Sequence, residues 1–156
     1  MRIGIDGHYP QDGVEVKETN GVLAITLYAD IERTPAQEPG QEIITANVVN
    51  LTLPLGSVEK ADIVSNFQYY FDKALAQELA KAKEIAIIPV QTLLTDTDYK
   101  AHKVVDGVLS AQDYEPWKNL RQHWRDTINA MQNAATYEEL AAITYAKTPG
   151  ELNEQN

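Results

Sequence analysis

The sequence predicts an α+β protein in which a small antiparallel β-sheet packs on a long amphipathic helix and a C-terminal helical hairpin follows. Three observations predict this: strand-like runs lie at residues 14–17, 22–28 and 42–53, an apolar stripe at helical spacing runs over residues 64–82, and helix-capping residues recur toward the C-terminus. We therefore expect a β-rich unit with the long helix in residues 1–90, a helical hairpin in residues 93–146 and a disordered tail in residues 147–156.

The front of the chain carries the strand pattern. Residues 14–17 alternate apolar and polar side chains, and Asn20-Gly21 then precedes an apolar run over residues 22–28. An Asn-Gly pair between two such runs is typical of a two-residue hairpin turn, because both central residues need positive φ. After a Pro- and Gly-rich loop in residues 34–40, residues 42–53 are expected to form one long strand or two joined by a bulge. Three or four strands are too few to close a core alone, so the sheet must pack on a helix or on another chain.

The long helix is predicted directly after the sheet. Ser57 is a good N-cap, and apolar residues then recur at spacings of three and four along one face: Val64, Phe67, Phe71, Leu75, Leu79 and Ala82. Residues 85–95 form the expected seam between the two units, since Pro89 makes continued helix costly. This apolar stretch is interpreted as an edge strand or as a linker that lies on the first unit.

The helical hairpin is predicted from residues that start or end helices. In chain order these are residues 95–98, Gly107, Ser110, Pro116, and the Thr136 and Glu139 of a Thr-x-x-Glu capping box. They indicate a short helix that ends at Gly107, a longer helix that runs to about residue 132 with Pro116 in its first turn, and a last short helix after Thr136.

Composition limits the kinds of function that the chain can have. It has 156 residues and a formal net charge of −10, and residues 1–56 alone carry 3 basic and 8 acidic groups. No basic stripe is strong enough for a phosphate backbone, so we expect no direct contact with nucleic acid. The chain has no cysteine, which excludes disulfides, thiolate catalysis and Cys-type zinc sites. No window approaches the roughly 18 consecutive apolar residues of a membrane span, and the N-terminus lacks the apolar core of a secretory signal, so a cytoplasmic protein is expected.

Residues that could carry chemistry do not fall into a recognised pattern. His8, His102 and His123 belong to three different elements and lack the spacing of a metal site, which favours structural histidines. Asp96 and Asp98 resemble the start of a calcium loop, but the Gly and Glu that such a loop needs are missing, so helix capping explains them better. We therefore expect a non-enzymatic protein with no catalytic residue, no cofactor and no metal. A hydrolase whose site forms only in three dimensions, around His8 or His123, is the alternative.

Aromatic side chains carry a sharper signal. Tyr69 and Tyr70 flank the apolar stripe of the long helix, so at least one of them must point away from any single core. Either the ring is partly buried, or the helix has two covered faces, one on its own sheet and one on another chain.

The last long helix carries a second apolar pattern. Its members recur at helical spacing as core residues do: Trp117, Trp124, Ile128 and Met131. Arg121 and Arg125 lie beside them and could clamp a carboxylate of an acidic neighbour. The candidate partner-interface residues are thus Tyr69, Tyr70, Trp117, Arg121 and Arg125.

The second half of the chain also resembles known phage proteins. The resemblance rests first on the segment TDTDYK at residues 95–100. It continues with Tyr114-Glu115-Pro116, Arg121, Trp124-Arg125-Asp126 and Ile128-Asn129. This segment is similar to the back halves of XkdW-type prophage tail-region proteins and of tail-fibre assembly proteins. It covers less than a quarter of the chain, and it implies a product of the tail or baseplate gene cluster with no cofactor and no catalytic residue.

Three functions are compatible with these observations. The first is a tail or baseplate accessory, in the virion or in the host cytoplasm during assembly, that binds other tail proteins or itself through the sheet edge and the Tyr69/Tyr70 helix face. The second is a tail-fibre assembly chaperone that is absent from the finished particle. The third is an acidic inhibitor of a host nucleic-acid enzyme, comparable to an anti-CRISPR protein, whose partner would be a basic host protein.

Overall fold

The computed structural model describes residues 2–5, 9–35 and 42–154, and over these ranges the chain is an α+β protein, as the sequence predicts. The elements described there are β1 (Arg2–Ile5), β2 (Val14–Thr19), β3 (Val22–Pro35), β4 (Glu42–Pro54), α1 (Lys60–Ser65), α2 (Phe67–Asp96), α3 (Asp98–Val105), α4 (Ala111–Asn133), α5 (Tyr137–Ala142) and α6 (Pro149–Glu154). Two compact units divide the chain, Met1–Glu78 and Leu79–Asn156. Their boundary falls inside α2 and not at the predicted seam in residues 85–95, so the β-rich unit is shorter than the predicted residues 1–90.

The four strands form one antiparallel sheet in the order β1-β4-β3-β2. β2 and β3 pair across the predicted hairpin, where Asn20 and Gly21 have φ angles of 50° and 77°, as a type I′ turn requires. β4 is one strand, and the irregularity lies on its partner: between Ala29 and Glu32, β3 advances one residue more than β4. Asp30 in this bulge has a φ of 49°, a conformation that Asp tolerates better than most residues. Most of the predicted loop in residues 34–40 lies outside the described residues.

The core of the first unit lies between one face of the sheet and the helices that follow it. Its buried residues alternate along three strands and continue into α1 and α2: Val14, Leu23, Ile25, Leu27, Val49, Leu51, Leu53, Ile63 and Ala74. Across β3 and β4, Leu27 lies opposite Val49 and Ile25 lies opposite Leu51. Such cross-strand apolar pairs fix the register, because a slip of one residue would turn the whole row to the other face.

The helices over this sheet differ from the predicted single helix. Glu59 and not Ser57 precedes α1, and Asn66 separates α1 from α2. Ala74 is fully buried whereas Leu75 is exposed, so the predicted apolar stripe is displaced by one position. Ala74 belongs to the core of the first unit, and a small side chain fits where a helix faces a sheet, whereas a prediction from the sequence favours the larger apolar Leu75.

The second unit is a helical assembly around α4. Its buried core residues are Ile87, Val90, Leu120, Trp124, Met131 and Ala146, with Trp117 and Ile128 packed partly against them. The prediction of Trp124 and Met131 as core residues is confirmed. No helix among the described residues has both the length and the apolar content needed to cross a membrane.

Several helix ends in this unit match their sequence signals. Ser110 Oγ accepts the Asp113 N–H at 3.1 Å where α4 begins, and Thr136 Oγ1 accepts the Glu139 N–H at 3.1 Å where α5 begins. Gly107, with a φ of 70°, follows α3 as predicted. One expectation is wrong in detail: α4 already begins at Ala111, so Pro116 lies inside the helix and not in its first turn.

The predicted disordered tail is also wrong over the described residues, where the chain forms helix α6. Thr148 Oγ1 accepts the Glu151 N–H at 3.3 Å, and the Glu151 carboxylate accepts the Lys147 N–H at 2.7 Å. Residues 148–151 therefore form a capping box of the same Thr-x-x-Glu type as the one before α5. Leu152 then packs against the core of the second unit, which anchors the helix despite its polar composition.

Pro89 lies within α2 and does not end it, so residues 85–95 are neither a strand nor a linker. A proline inside a helix loses one backbone hydrogen bond and crowds the carbonyl four residues earlier, which costs about 3 kcal/mol. Ile87 and Val90, on either side of it, are buried in the core of the second unit. Their burial offsets the cost of the proline, because the apolar contacts require this stretch to be helical.

We predict that Pro89→Ala stabilises the second unit. The substitution restores a backbone hydrogen bond and should raise the free energy of unfolding by about 1–3 kcal/mol, allowing for the extra freedom of alanine in the unfolded chain. Urea unfolding followed by circular dichroism at low protein concentration measures the change, with Glu84→Ala, an exposed position on the same helix, as control. A fall in stability for Pro89→Ala alone would contradict this account of α2.

Candidate interaction surfaces

The two tyrosines near the start of α2 have different environments. Tyr69 is 63% exposed, whereas Tyr70 packs partly against the core of the first unit. Their ring centroids are 5.1 Å apart with the planes nearly perpendicular, and the Lys73 ammonium lies 5.9 Å from the Tyr69 centroid. Tyr69 is therefore the member of the pair that can contact a partner, and Tyr70 supports it from the side of the core.

The edge of β4 beyond β1 is covered by side chains of α2. β1 pairs with β4 over residues 44–47. Further along, Gln77 Oε1 accepts the Thr52 N–H at 2.9 Å and Gln77 Nε2 donates to the Thr52 carbonyl at 3.2 Å, while Glu78 accepts the Asn50 N–H at 2.8 Å. The Gln77 amide thus replaces the peptide group of a neighbouring strand. Because backbone groups that are already bonded do not recruit another strand, this part of the edge does not support the expected self-association through the sheet.

At the opposite edge of the sheet, Asp12 binds both the first residue of strand β2 and a lysine of α1. Asp12 Oδ1 accepts the Val14 N–H at 3.1 Å, and Asp12 Oδ2 lies 2.8 Å from the Lys60 ammonium. The hydrogen bond from Lys60 holds the pKa of Asp12 below its ordinary value. Lys17 and Glu15 form a further ion pair of 2.7 Å on this strand. Charged side chains along an edge strand disfavour pairing with a second chain, so the β2 edge does not match the predicted interface well.

Arg121 binds a carboxylate of its own chain. The side chain is 7% exposed, and its guanidinium donates to Asp98 Oδ1 at 2.5 Å, to Thr97 Oγ1 at 2.6 Å and to the Leu94 carbonyl at 2.7 Å. Thr97 Oγ1 in turn donates to the Leu93 carbonyl at 2.7 Å. One side chain of α4 therefore satisfies the carboxyl end of α2 and the first residue of α3. A cation at a helix C-terminus and an anion at a helix N-terminus both interact favourably with the helix dipole.

A second contact between α3 and α4 is formed by a lysine that packs on an indole ring. The Lys100 ammonium lies 4.0 Å from the Trp117 centroid and 5.2 Å from the Tyr99 centroid. Tyr99 itself is half exposed, and Trp117 is partly buried. Lys100 of α3 therefore contacts Trp117 of α4 through a cation–π interaction. Arg125, by contrast, is exposed, with Gln122 Oε1 at 3.5 Å.

The histidines within the described residues have separate positions. His102 is exposed on α3, whereas His123 is partly buried on α4 and its Nε2 accepts the Ala146 N–H at 3.3 Å. Trp124 Nε1 donates to the carbonyl of the same Ala146 at 2.7 Å, so two adjacent side chains hold the backbone of one residue. His8 lies outside the described residues. Over the described ranges, no group of three or more His, Cys, Asp or Glu side chains is placed to hold a metal ion.

Sequence reasoning missed the apolar side chains that α2 leaves exposed in the second unit. Ile85 is 68% exposed and Ile88 is 57% exposed, although Ile87 between them is buried. Because residues 85–95 were expected to form a strand or a linker, no exposed helix face was predicted there. Helical spacing counted through Pro89 would have placed Ile85 and Ile88 on one side and Ile87 with Val90 on the other.

We predict that Arg121 is the most sensitive polar residue of the second unit. Arg121→Met should lower the free energy of unfolding by about 3 kcal/mol, because it leaves the Thr97 hydroxyl and a helix-end carbonyl without their cation. Asp98→Asn should cost no more than about 1 kcal/mol, since the Asp98 side chain is 61% exposed. Arg125→Met, on the exposed side of the same helix, is the control and should change stability by less than about 0.5 kcal/mol. Equal effects at Arg121 and Arg125 in urea unfolding would contradict the assignment.

We further predict that Gln77 protects the β4 edge. Gln77→Leu leaves the backbone of Thr52 without its partner, which should lower the free energy of unfolding by about 1–3 kcal/mol and increase aggregation on heating. Gln68→Leu, at an exposed glutamine on the same helix, serves as the matched control. Light scattering during a thermal ramp measures aggregation, and identical curves for the two variants would show that the edge needs no such protection.

Comparisons with protein-family models, with curated proteins and with solved structures find no match to this chain. The surfaces described above are therefore the basis for assigning a function. Of the predicted interface residues, Tyr69 and Arg125 are exposed, Tyr70 and Trp117 are partly buried, and Arg121 is engaged within the second unit.

Proposed function

We propose that this chain is a non-enzymatic accessory protein of a phage tail or baseplate and that it acts through protein–protein contacts. The observation that carries the proposal is the set of large apolar or aromatic side chains that α2 exposes: Tyr69, Ile85 and Ile88. Exposed groups of this kind on a regular helix are typical of interfaces, where aromatic and large apolar residues are enriched. The resemblance of residues 95–129 to tail-region proteins supplies the biological setting.

Polar groups suited to chemistry have structural partners in this fold, which supports a binding role. Arg121 ties three helices together, His123 accepts a backbone N–H from Ala146, and Glu78 accepts the N–H of Asn50 on β4. Glu139 and Glu151 complete helix caps by accepting backbone N–H groups. Each of these side chains has a role in stability that a catalytic role would disturb.

The arrangement of acidic residues favours a tail accessory over an acidic inhibitor of a host enzyme. Such an inhibitor needs a face of carboxylates that are free to meet a basic partner. In the first unit, Asp12 pairs with Lys60, Glu15 pairs with Lys17, and Asp30 accepts a hydrogen bond from the Asn47 amide at 2.7 Å. Lysines thus partly neutralise Asp12 and Glu15, Asp30 has a hydrogen-bond partner within the unit, and the negative charge is better explained by solubility.

We predict that deleting the gene from a phage or prophage that carries it produces particles with defective or missing tails. After induction, plaque counts should fall strongly and electron microscopy should show the tail defect. The wild-type chain supplied in trans should restore infectivity, whereas Tyr69→Asp should not, because it places a charge in the proposed contact. Ser65→Asp, which adds the same charge at another exposed position of the first unit, should restore it.

The same particles distinguish the two tail-related roles. Mass spectrometry of purified virions should detect an accessory protein, whereas an assembly chaperone would be found only with unassembled fibres. Normal tails and normal plaque counts after deletion would contradict both roles and the proposal with them.

A further inference from the structure

One face of α2 in the second unit has the spacing of a helix-pairing surface. Lys81, Ile85, Ile88 and Thr92 follow one another at intervals of four, three and four residues and are all exposed. This is the interval of the core positions in a two-stranded coiled coil. The other side of the helix carries the buried Ile87 and Val90, so α2 already has one covered face in this unit. We call the four exposed residues the α2 pairing face.

The threonine in this face presents its methyl group and not its hydroxyl. Thr92 Oγ1 donates to the Ile88 carbonyl at 3.0 Å, and Thr95 Oγ1 one turn later donates to the Gln91 carbonyl at 3.1 Å. Because the hydroxyls are satisfied by the backbone of their own helix, their burial would cost little. The pairing face is therefore apolar from Ile85 to Thr92, with charged residues at its ends.

We propose that the pairing face binds the same face of a second copy of this chain, with the two helices antiparallel. This inference rests on the proposed function in that it names one partner of the exposed surface. Charge determines the orientation: Lys81 lies at one end of the face, and Asp96, also exposed, lies one turn beyond the other end. Antiparallel pairing brings Lys81 of each copy toward Asp96 of the other, whereas parallel pairing sets like charges side by side.

The register follows from packing the isoleucines together. With the centre of symmetry between Ile85 and Ile88, Ile85 of each copy lies against Ile88 of the other, and Lys81 lies beside Thr92. Asp96 of the second copy is then about 6 Å further along the helix axis from Lys81, at a rise of about 1.5 Å per residue, which is within the reach of a lysine side chain. Both isoleucines of each copy become buried at the centre of the pair.

The size of this surface indicates weak pairing. About four helical turns from each copy cover less than about 1,200 Å² in total, which is the range of transient interfaces. A dimer that forms reversibly, and only as the concentration rises toward the millimolar range, is therefore expected.

Disulfide trapping tests orientation and register together, and the absence of native cysteine makes every cross-link assignable. Full-length Ile85→Cys and Ile88→Cys are prepared separately. Each variant is oxidised in air by itself, and an equal mixture of the two variants is oxidised in the same way. Antiparallel pairing predicts that the mixture forms disulfide dimers several-fold faster than either variant alone. Faster cross-linking of each variant with itself would overturn the proposal.

Sedimentation velocity across a range of concentrations tests the same pairing without cross-links. The wild-type chain should shift toward a dimer, Ile88→Glu should remain a monomer, and Val108→Glu, which changes an exposed apolar residue outside the face, should behave as wild type. Lys81→Asp and Asp96→Lys should each weaken the dimer, and combining them should restore it. A monomer at every concentration, or a dimer unaffected by Ile88→Glu in protein with an unchanged circular dichroism spectrum, would overturn the inference.

Failure here and failure of the proposed function have different signatures. If deletion gives defective tails while the pure protein stays monomeric, the pairing of two copies is contradicted and the tail role is supported. If the protein forms a dimer with the predicted cross-links while deletion gives normal tails, the pairing is supported and the tail role is contradicted.

Discussion

Helix α2 has to contribute to two hydrophobic cores with one continuous run of 30 residues, and much of the chain depends on how it does so. In the first unit Phe67, Tyr70, Phe71 and Ala74 pack against the sheet, and Gln77 and Glu78 then bind the backbone of β4. In the second unit Ile87 and Val90 are buried against α4. A helix with two such tasks cannot carry a single apolar stripe, so the amphipathic pattern changes along it and some large apolar residues belong to neither core. Ile85 and Ile88 are two of these residues.

The elements that sequence reasoning predicts well are those fixed by local chemistry. The Asn20-Gly21 turn, the caps at Ser110 and Thr136 and the end of α3 at Gly107 each depend on a few adjacent residues, and all four are found where expected. The errors arise where packing between distant residues outweighs a local rule. Pro89 should end a helix, but the burial of Ile87 and Val90 keeps the stretch helical. The polar tail should be disordered, but its capping box and Leu152 fix it to the second core.

For the candidate site, Tyr69 could be identified from its position beside the stripe. The role of Arg121 could not, because its partners Leu94, Thr97 and Asp98 lie more than twenty residues away in sequence.

The residues that carry the resemblance to tail-region proteins are, in this structure, mainly residues that hold the second unit together. Arg121 connects α4 to Thr97 and Asp98, Lys100 covers Trp117, and Trp124 donates to Ala146. A pattern of this kind specifies a stable arrangement of helices and not a particular partner. What distinguishes one such protein from another is then expected on the surfaces that the pattern leaves free, and α2 before residue 95 provides one of them. The exposed isoleucines can therefore form the proposed contact even if the pattern itself binds nothing.

Magnitudes explain why such a surface suits an assembly component better than a dilute protein. Four partly exposed isoleucines in a symmetric pair contribute roughly 4–6 kcal/mol on burial, which is comparable to the lower estimates of about 4–15 kcal/mol for the lost freedom of two molecules. The Lys81–Asp96 contacts are exposed and add at most about 1 kcal/mol each, so they select the orientation and supply little affinity. Repulsion between two chains of net charge −10 is screened beyond about 8 Å in physiological salt and affects the encounter more than the packed face. The balance is therefore only weakly favourable for free copies. It becomes more favourable once neighbouring copies are already held near each other, because a second contact inside an assembly no longer bears the full entropic cost of association. A tail or baseplate that contained several copies of the chain, as proposed, would provide that condition.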